Sequence, residues 1–194
     1  MTHDQAAFKA WGKARGVKKL AAGKKGKVAC VGILAQSNQQ DRFRGWQEAL
    51  KKYPNLQFPG KFKTHNSTEE TARLTSDLIS SYPDLIAVAG FTSETGPGIG
   101  PGIKKRNRIG KVIGTNVDAS PILLKLLKEG VLQFLVEQKR ETFVWYGAQF
   151  LFDMVHHVNA FPKNYIEAGS HALPYSVNTG LIEIDKNNVD EFIK

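Results

Sequence analysis

The sequence predicts an α/β fold, a three-layer sandwich with a mostly parallel β-sheet. Short apolar runs recur along the chain, and each ends in small polar residues before a segment with helical spacing. This alternation is typical of parallel strands joined by crossover helices. The first run, residues 28–34, shows almost no polar alternation, which indicates a strand buried on both faces.

The same patterns assign each element in turn. Ser67 or Thr68 suits the start of the third helix, Pro121 the start of the fourth, and Gly130 its end. Residues 96–102 alternate Gly with Pro and Ile, and they predict an irregular crossover because Gly and Pro disfavour helix. Strands are predicted at 27–34, 56–63, 85–91, 111–115, 131–137 and 178–184, helices at 4–21, 38–53, 68–82, 121–128 and 141–158, and a helical turn at 189–193.

Charge is distributed unevenly along the chain. The net charge is +9, but residues 1–27 carry eight basic residues and one acid, while the remainder holds 19 basic and 17 acidic residues. A uniformly basic nucleic-acid-binding surface is therefore not expected. Two interpretations of this basic segment stay open. It can be an arm that contacts phosphates or lipid headgroups, or, more simply, a solvated helix face.

Residue patterns for catalysis are missing from the sequence. The glycines at 96–102 lack phosphate-loop spacing, and no Gly-x-Ser-x-Gly elbow occurs. Neighbouring His156 and His157 diverge on a helix and have no third ligand at metal-site spacing, while Cys30 lies mid-strand. We therefore expect no enzymatic activity, no metal and no cofactor.

The helix at 141–158 is apolar on more than one side. Such a helix needs cover on more than one side. We expect it to bury surface outside its own subunit, either in a homodimer or against a separate lobe. No run in the sequence is long and apolar enough to span a membrane, and its start lacks a secretory apolar region.

Polar clusters follow three of the predicted strands. They are Thr92 to Glu94, Asn116 with Asp118, and Gln138. Ligands of open parallel sheets sit at the carboxyl ends of strands. Together these clusters suit the binding of a small polar molecule.

Several segments, in order and spacing, resemble the type I periplasmic binding proteins, the sugar-binding components of bacterial uptake transporters, close to the ribose-binding group. Lactose-repressor-type regulators share that fold. The segments are Gly-Lys-Val-Ala at 26–29, Gln-Ser-Asn-Gln-Gln-Asp-Arg-Phe-Arg-Gly-Trp at 36–46, Tyr-Pro-Asp-Leu-Ile-Ala-Val at 82–88, Thr-Ser-Glu-Thr-Gly at 92–96, Gly-Thr-Asn at 114–116, Glu-Gly at 129–130, Gln138, and the tail from Asn178.

The resemblance implies a solute-binding protein for a small polar ligand such as a sugar, in an uptake or sensing system. It implies a periplasmic or extracellular location, and a membrane permease or sensor as partner of the full-length protein. The alternative is the effector-binding core of a lactose-repressor-type regulator.

Family members are about half as long again and have two lobes around a cleft. By this resemblance the chain comprises a basic lead-in (1–26), a C-terminal lobe (27–138), a crossover helix and segment that pack on an N-terminal lobe in the family (139–177), and a C-terminal strand and tail (178–194).

The resemblance also places the ligand site. The ribose-binding group has Arg where Gln40 stands and Asp where Asn116 stands, so its charged hydrogen bonds to sugar are lost here. Its aromatic stacking positions are Ser67 and Thr115 in this chain. Amide and hydroxyl groups still donate and accept together, as sugar hydroxyls require. The residues carried over are Gln40, Thr92, Asn116 and Gln138 facing the cleft, with Ser37, Ser93 and Asp118 nearby.

Overall fold

The computed structural model describes residues 23–33, 35–156, 167, 173–174 and 177–193. The predicted helix at 4–21 lies outside this part of the chain. Within the described residues, the strands are β1 (Gly26–Gly32), β2 (Leu56–Gln57), β3 (Lys61–Lys63), β4 (Leu85–Gly90), β5 (Ile113–Val117), β6 (Phe134–Gln138) and β7 (Leu181–Ile184). The helices are α1 (Ser37–Leu50), α2 (Thr68–Ser81), α3 (Thr95–Lys105), α4 (Pro121–Lys128) and α5 (Arg140–Val155), and a short 3₁₀ helix follows at Val189–Glu191.

The strands form one sheet in the order β2-β1-β4-β5-β6-β7, and β3 also pairs with β1. The ladders of β1 with β2, β3 and β4, of β4 with β5, and of β5 with β6 are all parallel. The predicted α/β fold with a mostly parallel sheet is confirmed.

Strand β1 is buried on both faces, which explains its unbroken apolar sequence. Ala29 and Val31 belong to a core that includes side chains of α2, α3 and α4. The alternate residues Val28 and Cys30 are also fully buried. A Cβ added at Gly32 on that second face would lie 2.7 Å from Gln39 Oε1, which places α1 there. Burial raises the pKa of the Cys30 thiol, as expected of an unreactive core cysteine.

The prediction of an irregular crossover at 96–102 was wrong, because this segment lies within helix α3. A Cβ at Gly98 would stand 2.4 Å from the Thr68 carbonyl oxygen of α2. A Cβ at Gly100 would stand 2.9 Å from a methyl of Leu126 in α4. The glycines therefore let α3 approach both neighbours closely, and this packing outweighs their low helix propensity.

The predicted strand at 56–63 is divided into β2 and β3. Residues Phe58 to Gly60 separate them, and Gly60 has φ +143°. Proline lacks the N–H that a ladder needs, so Pro59 interrupts the pairing. The remaining strands and helices that are described lie within a few residues of their predicted positions.

Two compact units are distinguished by contacts within the chain. The first comprises residues 1–137 and 182–194, and the second comprises residues 138–181, which include α5. None of the α5 side chains is buried. The described helices include none with the length and hydropathy of a membrane span.

Replacing Gly98 with alanine should lower the free energy of unfolding by about 1–3 kcal/mol, because the added methyl group meets the backbone of α2. Gly147→Ala in α5 is the matched control, since a Cβ there meets nothing within 4 Å. It should be neutral or stabilise by up to about 1 kcal/mol. Urea unfolding of both variants measures the difference; equal stability would contradict the close α2–α3 packing.

Candidate functional site

The order of the strands places a topological switch point between β1 and β4. From β1 the chain runs through α1 to β2 and β3 on one side, and then through α2 to β4 on the other side of β1. At such a point the loops leaving the two strands separate in opposite directions. In open parallel sheets this leaves a crevice at the carboxyl ends of the strands, where ligands bind.

A depression of about 310 Å³ lies at this point, and we refer to it as the strand-end depression. Its walls come from the loop after β1 with the first turns of α1, the loop before α2, the loop after β4, and the residue after β5. The lining residues are Ile33, Gln36, Asn38, Gln39, Arg42, Asn66, Phe91, Thr92, Ser93, Glu94 and Asp118.

Gln39 fixes the wall that follows β1. Its side chain is buried, its Oε1 accepts a hydrogen bond from the Ile33 N–H at 2.8 Å, and its Nε2 donates to Gln36 Oε1 at 2.5 Å. The sequence analysis missed this residue. Its place in the polar run between the first strand and the first helix was the available signal.

Arg42 fixes the wall that follows β4. The buried guanidinium donates from Nη1 to the Phe91 carbonyl oxygen at 2.7 Å. The Phe91 ring packs edge-on against Phe43, with 4.6 Å between ring centroids, and against Trp46 at 6.1 Å. The strand end is thus held by a charge-assisted hydrogen bond and by aromatic packing.

Asn116 is buried in β5 and is only 2% exposed. Its Nδ2 donates to the carbonyl oxygens of Thr92, at 2.9 Å, and Val117, at 2.6 Å. Its Oδ1 accepts from Thr95 Oγ1 at 2.8 Å. The amide therefore holds the loop after β4, and Asn116 is not among the lining residues of the strand-end depression. Its predicted contact with a ligand stays a prediction.

Three residues predicted for the site line the depression: Thr92, Ser93 and Asp118. The Thr92 N–H donates to Thr95 Oγ1 at 3.2 Å, and Ser93 Oγ donates to Glu94 Oε1 at 2.8 Å. Asp118 has φ +66°, and its N–H donates to the Val136 carbonyl oxygen at 2.8 Å. Left-handed backbone at a residue other than glycine is uncommon and recurs at ligand sites.

The other predicted residues stand elsewhere at the strand ends. Ser37 is exposed at the start of α1, and Gln40 Oε1 accepts from Lys61 Nζ at 3.2 Å. Neither lines the depression. Gln138 is the last residue of β6 and the first of the second unit. Ligand contacts of these three residues stay predictions.

The loop before α2 brings Asn66 to the rim. Ser67 caps the helix, accepting from the Glu70 N–H at 3.1 Å. The Glu70 carboxylate accepts from the His65 N–H at 3.0 Å and pairs with His65 Nδ1 at 2.9 Å. Both contacts hold the pKa of the Glu70 carboxyl below its usual value, and the hydrogen bond from the His65 N–H contributes most. Asn66 itself has φ +64° and went unnoticed in the sequence.

The depression offers hydrogen-bond donors and acceptors close together. Arg42 provides a cation, and Glu94 and Asp118 are carboxylates. The Asn, Gln, Ser and Thr side chains can both donate and accept hydrogen bonds. Among the described residues, no cluster of three His, Cys, Asp or Glu side chains is suited to a metal ion. Such a surface can hold a neutral molecule rich in hydroxyl groups.

Comparison with known proteins gives the family. A model described as "Periplasmic binding protein domain" matches residues 5–157. The chain belongs to this family. A search of curated protein sequences found no match.

Several solved structures are similar to this protein over nearly its whole chain. A sugar-binding protein of a sugar ABC transporter from Bacillus halodurans is 22% identical with a TM-score of 0.88, covering 98% of this chain and 64% of that one. An arabinose-binding protein from Geobacillus stearothermophilus is 26% identical with a TM-score of 0.86, covering 98% and 63%. An ABC transporter solute-binding protein from Agrobacterium vitis, bound with α-D-tagatopyranose, is 21% identical with a TM-score of 0.79, covering 96% and 57%. The periplasmic binding protein chain described here thus spans less than two thirds of these proteins.

Asn116→Ala should lower the free energy of unfolding by about 1–3 kcal/mol, because the buried hydrogen bonds from its Nδ2 to the Thr92 and Val117 carbonyl oxygens are lost. Ser93→Ala, at an exposed position beside it, should change stability by less than about 0.5 kcal/mol. Thermal and urea unfolding measure both. A neutral Asn116→Ala would show that the amide does not hold the loop after β4.

Proposed function

We propose that this chain is the solute-binding component of a bacterial sugar uptake system and that the strand-end depression provides its part of the sugar site. The observation that carries the proposal is the position of the depression. It lies at the switch point of the parallel sheet, and it is lined almost entirely by polar side chains.

The chemistry of the lining fits a sugar. Each sugar hydroxyl both donates and accepts a hydrogen bond, so it is best met by side chains that can do the same. Thr92, Ser93 and Asn66 are of this type, while Asp118 and Glu94 supply strong acceptors. We propose that Asp118 is the main anchor of one hydroxyl group.

The similar structures support the same class of ligand. D-Arabinose, α-D-tagatopyranose, D-allose and D-fucose are the sugars bound in four of those proteins. All of these proteins are described as solute-binding proteins of transporters, and this favours transport over transcription regulation. In the full-length protein we propose a membrane permease as partner and a periplasmic or extracellular location, without catalysis.

Asp118→Asn tests the proposal with little disturbance of the backbone, because Asn also tolerates the left-handed conformation at this position. Titration of the four named monosaccharides into the isotope-labelled chain, followed by amide NMR shifts, should identify a sugar that moves the signals of residues around the depression. Loss of the charged acceptor should weaken its binding by roughly 10–100-fold.

The matched control is Asp77→Asn, an exposed position on α2 that should leave binding unchanged. The recovered sugar should be chemically intact, as expected of a binding protein. Sugar-induced shifts confined to residues remote from the depression, or equal affinities of the Asp118 variant and the parent chain, would contradict the proposed site.

A further inference from the structure

The positive charge of the chain is concentrated at one edge of the sheet. The amino ends of β2, β1, β4 and β5 lie side by side, and the segments that lead into them are residues 51–55, 23–27, 81–84 and 104–112. We call these four segments the basic edge. They contain ten Lys and Arg residues and one acid. The rest of the chain holds 17 basic and 17 acidic residues, so the net charge of +9 comes entirely from the basic edge.

Hydrogen bonds join the four segments into one surface. The Gly26 N–H donates to the Asn55 carbonyl oxygen at 3.2 Å, and the Lys27 N–H donates to the Asp84 carbonyl oxygen at 2.9 Å. Arg106 Nε donates to a hydroxyl group of α2 at 2.7 Å, which attaches the end of α3. Four adjacent strands span about 14 Å, so the basic edge is broader than the contact surface of a single phosphate group.

The charges of the basic edge are exposed and mostly flexible. Eight of the ten basic residues are exposed, and eight of the ten are lysines. Two of them have ion pairs, Lys27 with Asp84 and Lys104 with Glu129, each at 2.8 Å. A lysine ammonium attracts anions without fixed geometry, whereas arginine suits bidentate recognition of one phosphate. This composition favours a partner that presents many negative groups over a broad surface.

An apolar side chain lies at the tip of the segment 104–112. The turn from Arg108 to Lys111 is closed by the Lys111 N–H, which donates to the Arg108 carbonyl oxygen at 3.0 Å. Gly110 takes φ +74° in this turn. The side chain of Ile109 is 48% exposed there, between basic neighbours. Segments that lie at a membrane surface combine apolar and basic side chains in this way, because the former enter the headgroup boundary and the latter attract anionic lipids.

We propose that the basic edge binds the surface of a bilayer that contains anionic phospholipids. Its lysines lie against the headgroup phosphates, and Ile109 enters the boundary between headgroups and acyl chains. Groups of four to eight basic residues are enough to attract such a surface, and the basic edge has ten. The contact goes beyond sugar binding and does not depend on it.

The direction of the sheet makes this contact compatible with an open ligand site. The strand-end depression is built from the carboxyl ends of the strands, and the basic edge from their amino ends. In a parallel sheet these ends lie at opposite edges. A chain attached to the bilayer by its basic edge therefore keeps the depression open to solutes.

A nucleic acid is the other extended polyanion, and the basic edge lacks the features that bind one. Proteins that bind single strands stack the bases on exposed aromatic rings. The aromatic residues of the four segments are Tyr53 and Tyr82, which are both partly buried, and Lys27 Nζ lies 5.4 Å from the centroid of the Tyr82 ring. Duplex readers insert a helix or a β-ribbon into a groove, whereas the basic edge consists of loops and helix ends.

Co-sedimentation of the purified chain with vesicles tests the proposal. Phosphatidylcholine vesicles with about one third phosphatidylglycerol should bind the chain, and pure phosphatidylcholine vesicles should not. Raising the salt concentration from about 50 mM to about 500 mM should release most of the bound chain, because screening shortens the range of the attraction. Lys52→Glu combined with Lys111→Glu should lower the partition coefficient at least about tenfold.

The matched control is Lys63→Glu combined with Lys186→Glu, which changes the net charge equally at two exposed lysines outside the basic edge. It should lower binding by less than about threefold, since these charges lie farther from the bilayer. Ile109→Ser keeps the charge and should weaken vesicle binding about threefold or more, because the apolar contact is lost. Thermal unfolding of all variants should be unchanged, as expected of exposed positions.

Several outcomes would overturn the proposal. They are equal binding to neutral and anionic vesicles, equal losses in the two double variants, and vesicle binding that does not respond to Ile109→Ser. Fluorescence anisotropy with a short single-stranded oligonucleotide tests the other polyanion. Tighter binding to the oligonucleotide than to anionic vesicles, lost in Lys52→Glu with Lys111→Glu, would assign the basic edge to nucleic acid instead.

Discussion

The buried amide of Asn116 joins three parts of the sheet edge on which the site depends. It links β5, where it stands, to the carbonyl of Thr92 after β4 and to the hydroxyl of Thr95 in the first turn of α3. Two glycines make room for it: a Cβ at Gly90 would stand 2.0 Å from its Oδ1, and one at Gly96 would stand 2.6 Å from its Nδ2. Asparagine and glycines thus act as one unit, and the polar loop after β4 takes its position from them.

Local sequence signals were enough for most of the fold. Helix α4 is bounded as predicted because Pro121 and Gly130 act through their own backbones, with Gly130 at φ +73°. Strand β1 was evident from its unbroken apolar run, which reflects burial on both faces. Helix α3 was not evident from the sequence. It is stabilised by α2 and α4, which pack closely against its glycines, and no local pattern contains that information.

The candidate site was predictable to a similar degree. Thr92, Ser93 and Asp118 follow strands directly, and strand-end positions alone bring them to the depression. Gln39 and Asn66 depend on loop conformations, which a one-dimensional pattern does not specify. Whether a polar residue at a strand end turns toward ligand or toward its own backbone depends on the neighbouring loop, as Asn116 shows by binding the Thr92 carbonyl.

The division of the outer strand into β2 and β3 affects how copies of the chain can meet. An unbroken outer strand would present a row of free backbone groups to any strand from another molecule. Here the row is interrupted by Pro59 and Gly60, and Lys61 and Lys63 place exposed ammonium groups along the second half. Growth of the sheet from one molecule into the next is blocked at this border.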